Sequence, residues 1–495
     1  MNELTNINPF NNGRGNGSAA VLRTQILVLI AGVMVLAAVL LAKLELLGGV
    51  ACIGLVGVLG FLYLVFQYPR FGILAILVMG FFATGLSRYV PLPWGLSVDG
   101  IIMLVYLALF FKAFKTKIQW RKAKSMLTLV TSLWFIYVLA QLGNPEAVSL
   151  EAWFYAMRGL GMYQCLFIPL AFVLFSKPRD LKLFFIMWGV LSVLGTLKGI
   201  MQFKFGVDPF EQAWLDAGGA ETHVLFGKLR IFSFYSDAGQ FGASQAHAGL
   251  VFGILTLFCK HSKKMRIFFA GVALMGLFGM VISGTRGAIA VPAIGGMMFL
   301  IVRKNIAILA LGALMGIGVY IFFAHTNIGQ NNAEIRRMRT AFDPNEASLQ
   351  VRLNNQKKLS GYLASRPFGG GVGATGNWGQ RFSPHTFLAN TATDSWYVMI
   401  WADTGAFGLT IYLLIIFGIL FQGAYNVMSK IKDDWLKGQI TALVAGMAGI
   451  MMASYGNGVF GQFPTGILMY LGMVFMFVAP QWETKYKNTL KQQLY

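Results

Sequence analysis

Charge is scarce in this sequence. Only 12% of its 495 residues are Asp, Glu, Lys or Arg, while 56% are hydrophobic. A soluble domain carries about twice that share of charge. So little charge, spread over long apolar runs, means burial in lipid. Cysteine is scarce too. Cys52, Cys165 and Cys259 all fall in apolar runs and suggest no pair, so they read as buried and inert. Whole motif classes are missing: a Gly-rich nucleotide loop with Lys and Ser/Thr, an Asp-x-Asp pair, His-x-x-x-His and Cys-x-x-Cys. Divalent metals need clustered oxygen ligands. The one adjacent acidic pair, Asp433-Asp434, sits in a basic loop and reads as solvated. No cofactor and no metal are expected. Nor is a cleavable leader: the polar start through Arg14 and Arg23 runs into a full-length apolar helix rather than a short one with a small-residue cleavage site.

What is present is a series of continuously apolar runs of roughly 17 to 25 residues, the length of a membrane-crossing helix. Barrel strands would alternate over about ten residues instead. The expected fold is all-α: a polytopic transmembrane helical bundle of about 14 helices, within a range of about 12–14. The runs fall at residues 25–42, 46–66, 71–87, 98–114, 126–142, 160–176, 182–202, 241–259, 267–284, 286–302, 306–324, 396–422, 438–455 and 463–480. This divides the chain into a tail (1–24), N-terminal helices (25–202), a loop (203–240), helices (241–324), a large loop (325–395), C-terminal helices (396–480) and a second tail (481–495). The large loop is expected to contain a helix. Asp343-Pro344-Asn345 is a start signal, Leu349, Leu353, Leu359 and Leu363 recur near helical spacing, and Pro367 to Gly371 breaks the run.

The net charge of +21 could suggest nucleic acid, but its distribution excludes that reading. Lysines and arginines gather at every second connection, as in Lys112 to Lys124, Lys177 to Lys182, Lys260 to Arg266 and Lys430 to Lys437. This is the positive-inside pattern. It places both termini in the cytoplasm and the two long loops outside.

Positive charge in the outside loops runs against that pattern and needs a reason. Arg230, Arg286, Arg336, Arg337, Arg339, Arg352, Arg366 and Arg381 all lie there. Arginine pairs bidentately with phosphate and keeps its charge, so a lipid-linked diphosphate is a fitting partner. The plain alternative is pairing with Glu334, Asp343, Glu346 or lipid headgroups. Arg286 stands out. It lies in Ser283-Gly284-Thr285-Arg286-Gly287, a turn between two helices and at a helix start, where an anion is favoured and a cation is not. His385, between a glycine-rich segment and the next membrane helix, is the candidate proton acceptor.

Ser283-Gly284-Thr285-Arg286-Gly287-Ala288 resembles the small-residue arginine motif of the O-antigen ligase and polymerase family. Arg352 followed by Arg366-Pro367-Phe368-Gly369-Gly370-Gly371-Val372-Gly373 resembles its arginine and glycine-rich segment. Pro384-His385-Thr386-Phe387-Leu388 is similar to its histidine motif, with Thr386 in place of the usual Asn. Asp403-Thr404-Gly405-Ala406-Phe407-Gly408-Leu409 is similar to the motif at the next helix, with Asp403 in place of Glu. Arg230 to Asp237 resembles a further segment upstream. The matches keep family order over residues 228 to 415.

The resemblance implies transfer of a glycan from an undecaprenyl-diphosphate-linked oligosaccharide to a glycan or lipid acceptor, with inversion and without metal. It implies His385, Arg286 and Arg352 as catalytic residues, and Arg230, Asp237, Arg366 and Asp394 as substrate-binding ones. Its partners would be the lipid bilayer and other polysaccharide-assembly proteins. Two other readings stay open: a solute transporter, for example of bicarbonate, and a non-catalytic glycan-assembly protein.

Overall fold

The computed structural model describes residues 53–493, apart from 226, 305, 332–335, 337, 338 and 340–346. The first expected helix, Arg337 and the Asp343-Pro344-Asn345 signal lie outside these residues. The chain forms two compact units, Met1–Pro69 and Arg70–Tyr495. In the first, the described element is the apolar helix α1 (Ile53–Gln67).

The second unit is almost wholly helical. Its elements run α2 (Arg70–Tyr89), α3 (Gly95–Ala113), α4 (Met126–Ala140), α5 (Leu150–Met157), α6 (Tyr163–Leu174), α7 (Pro178–Phe205), α8 (Pro209–Trp214), α9 (Ala220–His223), α10 (Ala238–Phe258), α11 (Lys263–Ile282), α12 (Ala290–Arg303), α13 (Ile306–His325), α14 (Ala347–Leu363), α15 (Gly376–Phe382), α16 (Trp396–Tyr425), α17 (Asp434–Gly456) and α18 (Thr465–Gln493). A two-residue hairpin, Val224–Leu225 with Lys228–Leu229, is the strand pairing among the described residues.

Eleven described helices are long and apolar enough to cross a membrane, and each falls on an expected run. A further expected run, 306–324, falls on α13, a helix of 20 residues. The chain is therefore a multi-pass, all-α membrane protein. One span begins earlier than expected, at Leu150 instead of residue 160. Ser149 caps its start by accepting from Ala152 N at 3.1 Å, and a π-turn at Arg158–Met162 joins α5 to α6 without a break.

Local signals start the other helices as well. Ser125, Asp237, Ser262, Ser395 and Asp433 each accept an amide three residues on, satisfying donors that a helix start leaves orphaned. Pro178 sits at the first position of α7, and Asp180 in its first turn pairs with Arg70.

The core is built on α10, α17 and α18, whose membrane windows are 72%, 83% and 78% buried. Small residues allow this. A Cβ on Gly276 of α11 would lie 2.7 Å from Gln245 O and from Gly249 N of α10, so glycine is what lets the two backbones approach.

Each spanning helix crosses once, so the connections alternate between two ends. One end holds residues 114–125, 175–177, 259–262, Lys304 and 431–433; call it the basic end. The other holds 90–94, 144–149, 206–237, 283–289, the segment from α13 to α16, and 457–464.

The longer helices also contain more ionisable residues than the apolar runs suggest. Asp99 and Arg158 pair at 2.8 Å, and Lys198 pairs with Asp208 at 2.8 Å and with Glu211 at 3.2 Å. Such groups are tolerated in a membrane helix when partnered.

Candidate functional site

A cavity of about 1270 Å³ opens at the end opposite the basic one. Its walls come from the 222–237 segment, the start of α12, α14, the turn before α16, and the Gly456–Gln462 connection. The charged residues lining it are Arg230, Asp237, Arg286, Arg352 and Asp394, joined by His223 and Tyr455.

Arg230 follows the small hairpin, and its amide bonds His223 O at 2.8 Å. Its Nε is buried without a hydrogen-bond partner in the described structure. Burial lowers its pKa from the ordinary guanidinium value. The charges of Arg286 and Arg352 push the same way, and Asp237 opposes. Three arginines therefore share one electrostatic environment, although they lie far apart in sequence.

Arg286 begins a tight 3-10 turn, Arg286–Ile289. Gly284 before it adopts φ +58°, which favours glycine. Thr285 Oγ1 donates to Ala238 O at 2.7 Å, tying the turn to the start of α10 beside Asp237. Asp237 caps that helix, accepting from Gln240 N at 3.0 Å and from Ser236 Oγ at 2.9 Å.

Arg352, on α14, has Nε 3.7 Å from Asp394 Oδ2, with both side chains partly exposed. Asp394 holds φ +47°, a backbone region that aspartate visits sparingly and that clusters at working sites.

The structure thus gathers Arg230, Asp237, Arg286, Arg352 and Asp394. It leaves two of the expected residues outside the lining. Arg366 stacks on Tyr362 at 4.1 Å and pairs with Glu146 Oε2 at 2.9 Å; this contact raises its pKa. His385 is exposed on a turn that Thr386 and Asn390 hold through Ser383 O (2.9 Å) and Pro384 O (2.6 Å).

The glycine-rich segment and the Asp403 motif prove to be one structural unit. The buried Asp403 carboxylate accepts from Gly373 N (3.0 Å), Thr375 N (3.2 Å) and Thr375 Oγ1 (2.8 Å). Gly405 kinks α16 at φ +71°, where a Cβ would lie 2.0 Å from Pro367 O. The motif clamps the loop that leads to Gly376 and Asn377 on the cavity wall.

Other parts of the cavity were not expected from sequence. Asn457 and Gln462 reach it from the connection after α17; the signal available was Gly456-Asn457-Gly458 between two apolar runs. His223 lines it too, with Nε2 3.0 Å from Ser236 O and Nδ1 2.8 Å from Thr222 Oγ1. Burial lowers its pKa.

Arg88 supports the same segment. It is 7% exposed, donates to Ser233 O at 2.7 Å and to Tyr235 O, and lies over Trp214 and Phe232 at 4.7 and 4.3 Å. No sequence motif marked it.

Residues 270–413 match the O-antigen ligase family model. The likeness to that family lies within this stretch of the chain. That stretch runs from α11 into α16 and holds Arg286, Arg352, Arg366, His385 and Asp394, while Arg230 and Asp237 join from upstream. No curated protein matches the chain. The O-antigen ligase match and the spanning helices together support a membrane enzyme of the ligase or polymerase type, acting on glycans.

Proposed function

We propose that the chain transfers a glycan from an undecaprenyl-diphosphate carrier to an acceptor hydroxyl on the extracytoplasmic face of a bacterial inner membrane. The observation that carries this reading is the convergence of Arg230, Arg286 and Arg352 on one cavity at the end of the bundle away from the basic loops. The departing diphosphate gains negative charge as the glycosidic bond breaks, and fixed cations stabilise it. The acceptor oxygen attacks the anomeric carbon from the opposite side, so the configuration inverts. Arginine supplies the positive charge that a metal would otherwise bring.

The acceptor hydroxyl must lose a proton. Asp394 takes it in this reading, because Asp237 is committed to its helix cap and His223 to its two carbonyl and hydroxyl neighbours. His385, within the family segment but off the cavity lining, is the rival base.

The test is transfer by the purified protein, with a synthetic polyprenyl-diphosphate oligosaccharide and an acceptor glycan, in excess chelator. Product with an inverted anomeric linkage at an undiminished rate is expected. Activity that disappears in chelator and returns with magnesium would defeat the metal-free mechanism, and donor binding without product would favour a non-catalytic assembly protein.

A further inference from the structure

A second polar cavity, of about 960 Å³, lies at the basic end. It cannot serve the glycan site. Pro178, at the start of α7, lines this cavity, whereas the 28-residue helix leads at its far end into the 206–237 segment. At 1.5 Å per residue that helix is roughly 42 Å long, so the two cavities lie at opposite membrane surfaces.

Five cations line it: Lys117, Arg121, Lys122, Lys124 and Lys177, and none of its described lining residues is acidic. The acids of adjoining segments already have partners, Asp180 with Arg70 and the Lys177 amide and Glu483 with the Lys432 amide. Below the cations the lining is apolar, with Phe172, Phe477 and Val478.

Its two tryptophans are fixed in place. Trp120 stacks on Tyr106 with ring centroids 6.2 Å apart and planes 7° from parallel, and Trp482 Nε1 donates to Ser176 O at 3.1 Å. Orienting a membrane protein requires cations somewhere in such a loop. It does not require them to converge around a built concavity with an apolar floor.

We propose that this cavity binds the headgroup of an anionic phospholipid, the phosphate held by the cations and an acyl chain lying along the Phe172, Phe477 and Val478 floor. Cations over an apolar surface at a membrane boundary match that amphiphile on both counts, and the tryptophans suit the headgroup level.

Native mass spectrometry of the purified full-length protein tests this, with phosphatidylglycerol and phosphatidylcholine offered in equal amounts. The triple variant Arg121→Gln, Lys122→Gln, Lys124→Gln is compared with Lys260→Gln, Lys263→Gln, Lys264→Gln. The second set removes the same charge from the same end without touching this cavity. Each charge removed should weaken phosphatidylglycerol binding roughly 5-fold, while the control triple leaves it unchanged. Trp120→Ala keeps every charge and should also weaken binding, which covers the case of a first triple that fails to fold. Excess inorganic phosphate should not displace the lipid. Equal retention of the two lipids, equal loss in both triples, or full displacement by phosphate would each overturn the proposal.

Discussion

At the scale of single residues, the cavity separates cations that hold charge from side chains that hold structure. Arg286 is placed by a glycine turn against the start of α10, at a helix start where its own charge is disfavoured. Arg286→Ala should lower transfer about 10²–10³-fold, the cost of one charge-stabilising contact in a transition state. Arg286→Lys keeps the charge but loses the planar fork, so it should also fall well below wild type. Steady-state transfer at matched expression checks both. Wild-type rates in Arg286→Ala would leave this arginine only a structural part.

The proton acceptor is decided by a parallel pair. Asp394→Asn removes a base while keeping shape, and should cost about 10²–10⁴-fold in rate with donor binding retained. His385→Ala, on an exposed turn off the lining, should stay within a few-fold of wild type by the same yardstick. The opposite ranking would return the base to His385 and require its turn to reach the cavity in the working complex.

At the scale of elements, the glycine-rich segment and α16 act as one clamp. Asp403 satisfies two amides and a hydroxyl while itself out of water. Asp403→Ala leaves those donors without an acceptor, at about 1–3 kcal/mol for each buried group left unsatisfied. Thermal unfolding in detergent should show the loss directly. Gly405→Ala should be at least as harmful, because its φ of +71° and the Pro367 carbonyl leave no place for a methyl group. If either variant is inactive yet as stable as wild type, the clamp has a catalytic share beyond its packing.

At the scale of the whole molecule, alternation of the connections puts the arginine cavity and the five-cation cavity at opposite surfaces. With the basic end in the cytoplasm, cysteines introduced at Lys122 and Lys264 should resist an impermeant thiol reagent in intact cells, while one at Asn377 should react. Labelling at Lys122 would reverse the orientation and, with it, the face proposed for transfer.

How much of this was legible depends on the range of the interaction. Hydropathy is local, so the spans described here fall on runs visible in the sequence. The glycine turn before Arg286 acts over three or four residues and was equally visible. The resemblance implied catalytic roles for Arg286 and Arg352 and a substrate-binding role for Arg230, without saying that the three share a cavity.

What a chain order of motifs does not contain is distance across the bundle. Arg366 was expected to bind substrate beside the catalytic Arg352, but α14 ends between them, and Glu146 from another connection captures Arg366. His385 looked aimed at the chemistry, yet its turn is held by its own hydroxyl and amide bonds. The Asp403 motif carried no role readable from sequence, and it is a buried tie for the loop beside it. Arg88 lay unnoticed in an apolar helix because its partners are carbonyls far along the chain. Sequence by itself determined the class of protein, its spans and its arginine-rich face, because hydrophobic period and charge placement act locally. Which arginines share one cavity was decided only by helix packing, where small residues such as Gly276 set how closely distant segments meet.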